Sequence, residues 1–483
     1  LCLHDLTANS LGTGDSAWVR IQVADGSLLN ENGSYIAGAG AYVQIKAKNA
    51  IGTNAKPILT RVATLTIATS THGSGDVVIR EDDNLVLIEE RALTSPENPG
   101  YVIFADQSHP SWNTRWESTV EWENNVAAGA SVWRDLIRKN RSVIRPDVAV
   151  EIGRGHLVLN LVQDEALLTL QSGYLRSLTA GMNITLNADD IEFLSGVSRV
   201  VGLASLTLRT NKNVSSYYIG TAAEDIVGAP FIDGSPRQIA NHGFYFGNRD
   251  LAAIYDGFTD INLGRRDIGN VVWLGDVKDS ANVKMLNADG DPVARAADSV
   301  VASFRDDTNI FADTVNVVGD VEAPLDTLSV YTRRLEVNSQ NVHDPNGSGD
   351  SGLYADALNI QVDEQAVVMG WLKAVNRIDF DVTKTPGDAG VSDAYFTPPY
   401  LATGPLSHNS IQVDSIAEIS TSADASLIQI TAKESIEVRG RIEVGGNGST
   451  IEVAAEGPMI LVELARVFAE GANSTIEITT DDV

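Results

Sequence analysis

Cys2 is the only cysteine among 483 residues, so no disulfide can form within the chain. That excludes a disulfide scaffold but not secretion, since a long repeat protein holds together without staples. Basic residues are scarce too: 35 Lys and Arg face 64 Asp and Glu, a net charge of −29. Nucleic acids and anionic membranes need a basic surface, so neither is an expected partner. No run of eighteen apolar residues exists to span a bilayer. The sequence holds no Gly-rich phosphate cradle, no paired metal-ligand cysteines and no His-Glu-x-x-His helix, and its seven histidines are scattered. It starts at Leu1 with no basic segment and apolar core behind it, the expectation for a mature or excised piece of something longer.

What the chain does have is a repeat. In the last sixty residues one phrase recurs, Ser426-Leu-Ile-Gln-Ile, Ser449-Thr-Ile-Glu-Val and Ser474-Thr-Ile-Glu-Ile, at spacings of 23 and 25. Periods of twenty to fifty residues are the mark of a solenoid. Inside each phrase apolar and polar residues alternate, which is the period of a strand. Between the phrases lie Gly445, Gly446, Gly448, Gly457 and Gly471 with Asn447 and Asn473, residue types that turn a chain sharply. A unit of strands and corners about 22 residues long predicts one coil of a parallel β-helix, each coil stacking on the last at roughly 4.8 Å. Aromatics at 6% and abundant Val, Ile, Leu and Ala suit aliphatic ladders.

The first ninety residues follow the same rule, with Ile21, Ile45 and Ile67 at spacings of 24 and 22. Here Ala50-Ile-Gly-Thr-Asn-Ala-Lys-Pro-Ile-Leu-Thr-Arg-Val-Ala-Thr-Leu-Thr-Ile-Ala precedes Gly75-Asp-Val-Val-Ile. This resembles the repeats of filamentous-haemagglutinin-like and other giant bacterial surface proteins. A second stretch is similar to a module of those proteins: Tyr218-Ile-Gly-Thr, then Phe246 to Asp267, then Gly269-Asn-Val-Val-Trp-Leu-Gly. The two cover about a third of the chain, and residues 225–243 are an addition without an assigned role. The resemblance implies a right-handed β-helix and a cell-surface or secreted, non-enzymatic role. Locally, Asn248 is expected to cap a short helix near 248–257, Gly257 to close it, and Phe258 to return to the core.

Further units follow at Ile184 and Leu206, 22 apart, and at Val315, Leu335, Leu358 and Ile378, spaced 20, 23 and 20. The expected organisation is solenoid coils over 1–109, a Trp/Arg-rich insertion at 110–146, and a central solenoid over 147–384. A Pro-rich loop at 385–408 and closing coils over 409–483 complete it.

Four tryptophans, Trp112, Trp116, Trp122 and Trp133, stand just before the one dense basic run, which includes Arg134, Arg138 and Arg141. They either cover one flank of the solenoid, form a docking element for an acidic neighbour, or give a platform on which sugar rings stack. No cofactor is expected except calcium, for which alternating oxygens at Asn287, Asp289 and Asp291 are the nearest thing to a site. Pro292 stands where a calcium loop of the EF-hand kind needs glycine, so a solvated turn competes with that reading. Some parallel β-helices cleave polysaccharides with clustered carboxylates. Asp379 and Asp381 share one side of a strand and are the best such pair, set against an ordinary solvent face.

The expectation is therefore an all-β, right-handed parallel β-helix of about twenty coils. It would be an extracellular or cell-surface bacterial fibre, adhesin or biofilm component. Ser474, Ile476 and Ile478 lie in a last coil with no capping helix, and they are expected to stack head to tail on another copy or on further chain. A glycan-binding or glycan-cleaving β-helix is the alternative.

Overall fold

A computed structural model describes residues 6–7, 18–89 (save 32 and 70–73), 148–210 (save 178 and 194–197), 216–220, 243–275 (save 267–268), 285–286, 292–293, 301–337, 351–382 and 410–481 (save 463–464). Among the described residues all elements but one are strands, and they pair in parallel along the ladder, with one two-residue antiparallel bridge, Met285–Leu286 with Pro292–Val293. The chain is a parallel β-solenoid. Among the described residues no helix is long and apolar enough to cross a membrane. The chain separates into two compact units, residues 1–214 with 242–262, and residues 215–241 with 263–483.

In the first unit three sheets run side by side. Ile21 pairs with Ile45 and Ile45 with Ile67, the register expected from their spacing. A second ladder stacks Val77, Leu157, Ile184 and Leu206, all fully buried. A third stacks Leu85 on Leu168 and Leu168 on Ile191. Alternation puts these aliphatic side chains inward, where stacking on aliphatic neighbours of similar size removes them from water. Long connections are compatible with this ladder: Ile67 pairs with Val150, eighty-odd residues on. Residue number runs ahead of rung number there.

In the second unit one strand shows how a coil is built. Asp320–Val337 bends twice: residues 320–323 pair with 352–355, 327–332 with 357–362, and 334–337 with 365–368. These three sheets are called faces C, A and B. On face A the inward ladder is Thr308, Leu328, Leu358, Ile378, Ile428, Ile451 and Ile476, each on the next. The Ser426, Ser449 and Ser474 phrases are thus consecutive rungs, as their spacing predicts. The spacing misleads once. Val315 does stack on Leu335, but Leu335 stacks on Ala366 of face B, whereas Leu358 belongs to face A. A period alone cannot say which face a strand occupies.

The helix is shorter than expected, Asn248–Ala253, and Asn248 is its first residue rather than its cap. Gly247 holds the cap position, its N–H donating to the Asp250 carboxylate at 3.0 Å. Ile254 leaves in extended conformation, so Gly257 (φ 133°) turns the following loop instead of closing the helix. Phe258 does return to the core, filling the space over Gly202, where any Cβ would strike its ring at 2.2 Å.

Candidate functional site at the last coil

The corner between faces C and A repeats in three consecutive coils: Ala423-Asp424-Ala425-Ser426, Gly446-Asn447-Gly448-Ser449 and Gly471-Ala472-Asn473-Ser474. The third residue of each takes a left-handed conformation, φ 56° at Ala425, 68° at Gly448 and 61° at Asn473. The corners nest so closely that a Cβ on Gly446 would lie 1.9 Å from the Ala423 carbonyl oxygen, and one on Gly471 equally near that of Gly446.

A ladder of hydroxyls runs through the serines. The Ser426 N–H donates to Ser449 Oγ and the Ser449 N–H to Ser474 Oγ, both at 3.2 Å. Ser426 Oγ lies 3.0 Å from Ser449 Oγ, and Ser449 Oγ donates to the Ala423 carbonyl at 3.2 Å. Beside it, the Asp424 carboxylate accepts from the Asn447 N–H (2.8 Å) and the Asn447 side chain from the Ala472 N–H (2.9 Å). Each rung therefore satisfies the backbone of its neighbour. At the last rung the series stops: Ala472 has no acceptor to pass on, and the Ser474 N–H is next in line for a hydroxyl.

The apolar ladder stops at the same place. Ile451 and Val453 are 0% and 1% exposed, but Ile476 and Ile478, one rung on, are each 42% exposed. On face B, Ile436 and Val438 are fully buried, while Ile460, Leu461 and Val462 of the last coil lie open. A strand at the edge of a sheet also presents unpaired N–H and C=O groups. Among the described residues, the last coil thus presents an apolar row with a polar rim.

The other sequence candidates divide. Asp379 and Asp381 do share the outer side of face A, between Asn359 and Gln361 on one rung and Gln429 and Thr431 on the next. Asp379 is tied down by Arg377, whose Nε donates to it at 2.6 Å. Trp112, Trp116, Trp122, Trp133, Arg134, Arg138 and Arg141 lie outside the described residues, as do Asn287, Asp289 and Asp291. Among the described residues no group of three His, Cys, Asp or Glu could hold a metal ion.

Sequence reasoning missed the groups that latch other corners. Glu81 is fully buried and accepts from the N–H groups of Val62 (3.3 Å), Asp82 and Asp83 (both 3.0 Å). Burial pushes its carboxyl up to about 7. Asp190 accepts from the Tyr245 N–H at 3.0 Å and is likewise raised by burial to about 7, with the negative charge of Asp250 adding to the effect. Asp250 receives the N–H groups of both Phe193 and Gly247, which docks the helix. In the second unit Arg333 grips Asp313 with two bonds (2.9 and 2.8 Å) and Glu364 with one (2.9 Å), and Arg334 joins Glu364 at 2.9 Å. A lone acidic residue after a strand carries no sequence signal of burial; the partners of Arg333, 20 residues before it and 31 after, become visible only once the coil length at that point is known.

No protein-family model, curated protein or solved structure matches the chain.

Proposed function

We propose that this protein is a structural, non-enzymatic segment of an extracellular or cell-surface fibre, extended end to end through its open last coil. The observation that carries this is the contrast between Ile451 and Val453, buried, and Ile476 and Ile478, 42% exposed in the same ladder. Covering each isoleucine would contribute roughly 1 kcal/mol, since full burial of such a side chain is worth about 1.5–3. Adding the edge hydrogen bonds and the five aliphatic side chains of the last coil makes the end adhesive to another strand-bearing rung. A surface of this kind in a chain with a charge of −29 stays soluble along its flanks and joins only at its ends. The sequence resemblance to giant bacterial surface proteins supports the same reading.

The test is sedimentation velocity with electron microscopy of the unfixed protein. Concentration-dependent linear polymers are expected, and Ile476→Lys with Ile478→Lys should return the protein to monomers without lowering its melting temperature. Monomers at every concentration for the wild type would overturn the proposal, as would polymers that survive both substitutions.

A further inference from the structure

We propose that Asn447 and Gly448 form a self-modification site, a pair that closes to a succinimide and ends as aspartate or isoaspartate when the rung stacked on it lets go. This stands apart from the end-to-end reading, because it concerns a corner held between two neighbouring rungs and asks nothing of what lies past them.

The chemistry is set by the residue pair. A backbone nitrogen that follows asparagine can attack the side-chain amide carbonyl, and glycine offers that nitrogen with no Cβ to crowd the approach. The new bond joins Gly448 N to Asn447 Cγ. The bond from Cγ to the side-chain nitrogen breaks, and that nitrogen leaves as ammonia with the proton that Gly448 gave up. Water then opens the ring at either carbonyl. One opening gives aspartate; the other gives isoaspartate, with the backbone rerouted through the side chain. Both residues are exposed, so water and base reach them.

The restraint is set by the fold. The Gly448 N–H, which has to lose its proton, donates to the Ala472 carbonyl at 2.9 Å. Asn447 Oδ1, which has to swing with Cγ toward that nitrogen, accepts from the Ala472 N–H at 2.9 Å. From the opposite rung the Asp424 carboxylate holds the Asn447 N–H at 2.8 Å. Gly471 closes down on the same corner: a Cβ there would stand 1.9 Å from the Gly446 carbonyl oxygen and 2.6 Å from Asn447 N. Ring closure therefore waits on separation of the corners 446–449 and 471–474. Its rate in the folded chain is the unrestrained rate multiplied by the fraction of time that rung stands open.

The products fit their old place worse. Isoaspartate adds a backbone carbon to a corner where even a Cβ on Gly446 or Gly471 would strike the neighbouring rung. Aspartate sets a second carboxylate one rung from that of Asp424, where the neutral amide now avoids the repulsion. A rung opening long enough for the ring to close is thus written permanently into the covalent chain.

The test follows the intact chain in mildly alkaline buffer, folded and in urea, with peptide mass spectrometry for loss of the Asn447 amide and an isoaspartyl methyltransferase to score isoaspartate. In urea Asn447 should convert at the pace of Asn32 and Asn346, which are also followed by glycine. In the folded chain it should convert about tenfold more slowly or less. Gly471→Ala forces the two corners apart without touching the reacting residues and should speed folded-state conversion about fivefold, with amide exchange at Gly448 and Ala472 rising by the same factor. Ser474→Ala is the gentler variant, since it adds no bulk and only removes the hydroxyl that accepts from the Ser449 N–H and donates to the Gly446 carbonyl. It should speed conversion about twofold. Conversion as fast folded as in urea would overturn the inference. So would an Asn447 amide that survives urea, or a folded-state rate that neither variant raises.

Discussion

The corner at Glu81 and the corner at Ser449 solve the same problem with opposite chemistry. Both must satisfy backbone N–H groups where the chain bends, out of reach of the strand ladders. In the first unit one buried carboxylate collects three N–H groups around it. In the last coils serine hydroxyls and an Asp-Asn pair hand hydrogen bonds from rung to rung. The first device ties Glu81 to Val62 of the adjoining rung and goes no further. The second is open-ended, because every rung borrows from the following one. A corner that extends is suited to an end that joins; a corner that closes on itself is suited to the interior.

The difference should be largest on deleting the latch. Glu81→Ala leaves the buried Val62 N–H without its carboxylate acceptor and opens a cavity, and is expected to cost about 3 kcal/mol, read as a fall in the urea midpoint. Acidity probes the same contrast. Glu81 and Asp190 both have folded values near 7, raised from 4.5 and 3.8. Below pH 4 folded and unfolded chains bind the same protons at these sites. Between pH 4 and 7 the unfolded chain ionises first, so stability falls as pH rises, and above 7 the loss is complete. The protein should therefore unfold at a higher urea concentration at pH 5 than at pH 8, by at most a few kcal/mol. Glu81→Gln and Asp190→Asn should shrink that difference; an unchanged pH dependence in the double variant would refute the assignment.

An intermediate effect is expected at the ionic corner of the second unit. Arg333→Met strips both Asp313 and Glu364 of their shared partner; their side chains are 22% and 14% exposed, so water softens the loss to about 2 kcal/mol. High salt should narrow the gap between variant and wild type. The smallest is Ser449→Ala, roughly 1 kcal/mol, because the neighbouring hydroxyls can reorient. Its distinctive sign is spatial: faster amide exchange at Ser426 with no change around Glu81.

Much of the fold was legible in the sequence because solenoid rungs repeat their own pattern. Ile21, Ile45 and Ile67, and Ile428, Ile451 and Ile476, are in register at the spacings read from the chain. Alternation named the inward residues for the same reason. The misses share a cause: Leu335 and Leu358 fall a plausible period apart yet on different faces, and the helix cap depended on a glycine backbone with no side chain to signal it. At the candidate site, Ser474, Ile476 and Ile478 were visible as the last members of a series. Their exposure follows from what stacks beyond them, which composition does not encode.

The three nested corners at Ala425, Gly448 and Asn473 also set how this part of the molecule responds to tension. Neighbouring rungs touch only each other, so a pull on the last strand peels one coil before it loads the next. With rungs 23 and 25 residues apart, each coil would release about 80 Å of extended chain. The end of the solenoid would then behave as a series of equal mechanical fuses, lengthening in steps and rewinding from the rung that still holds.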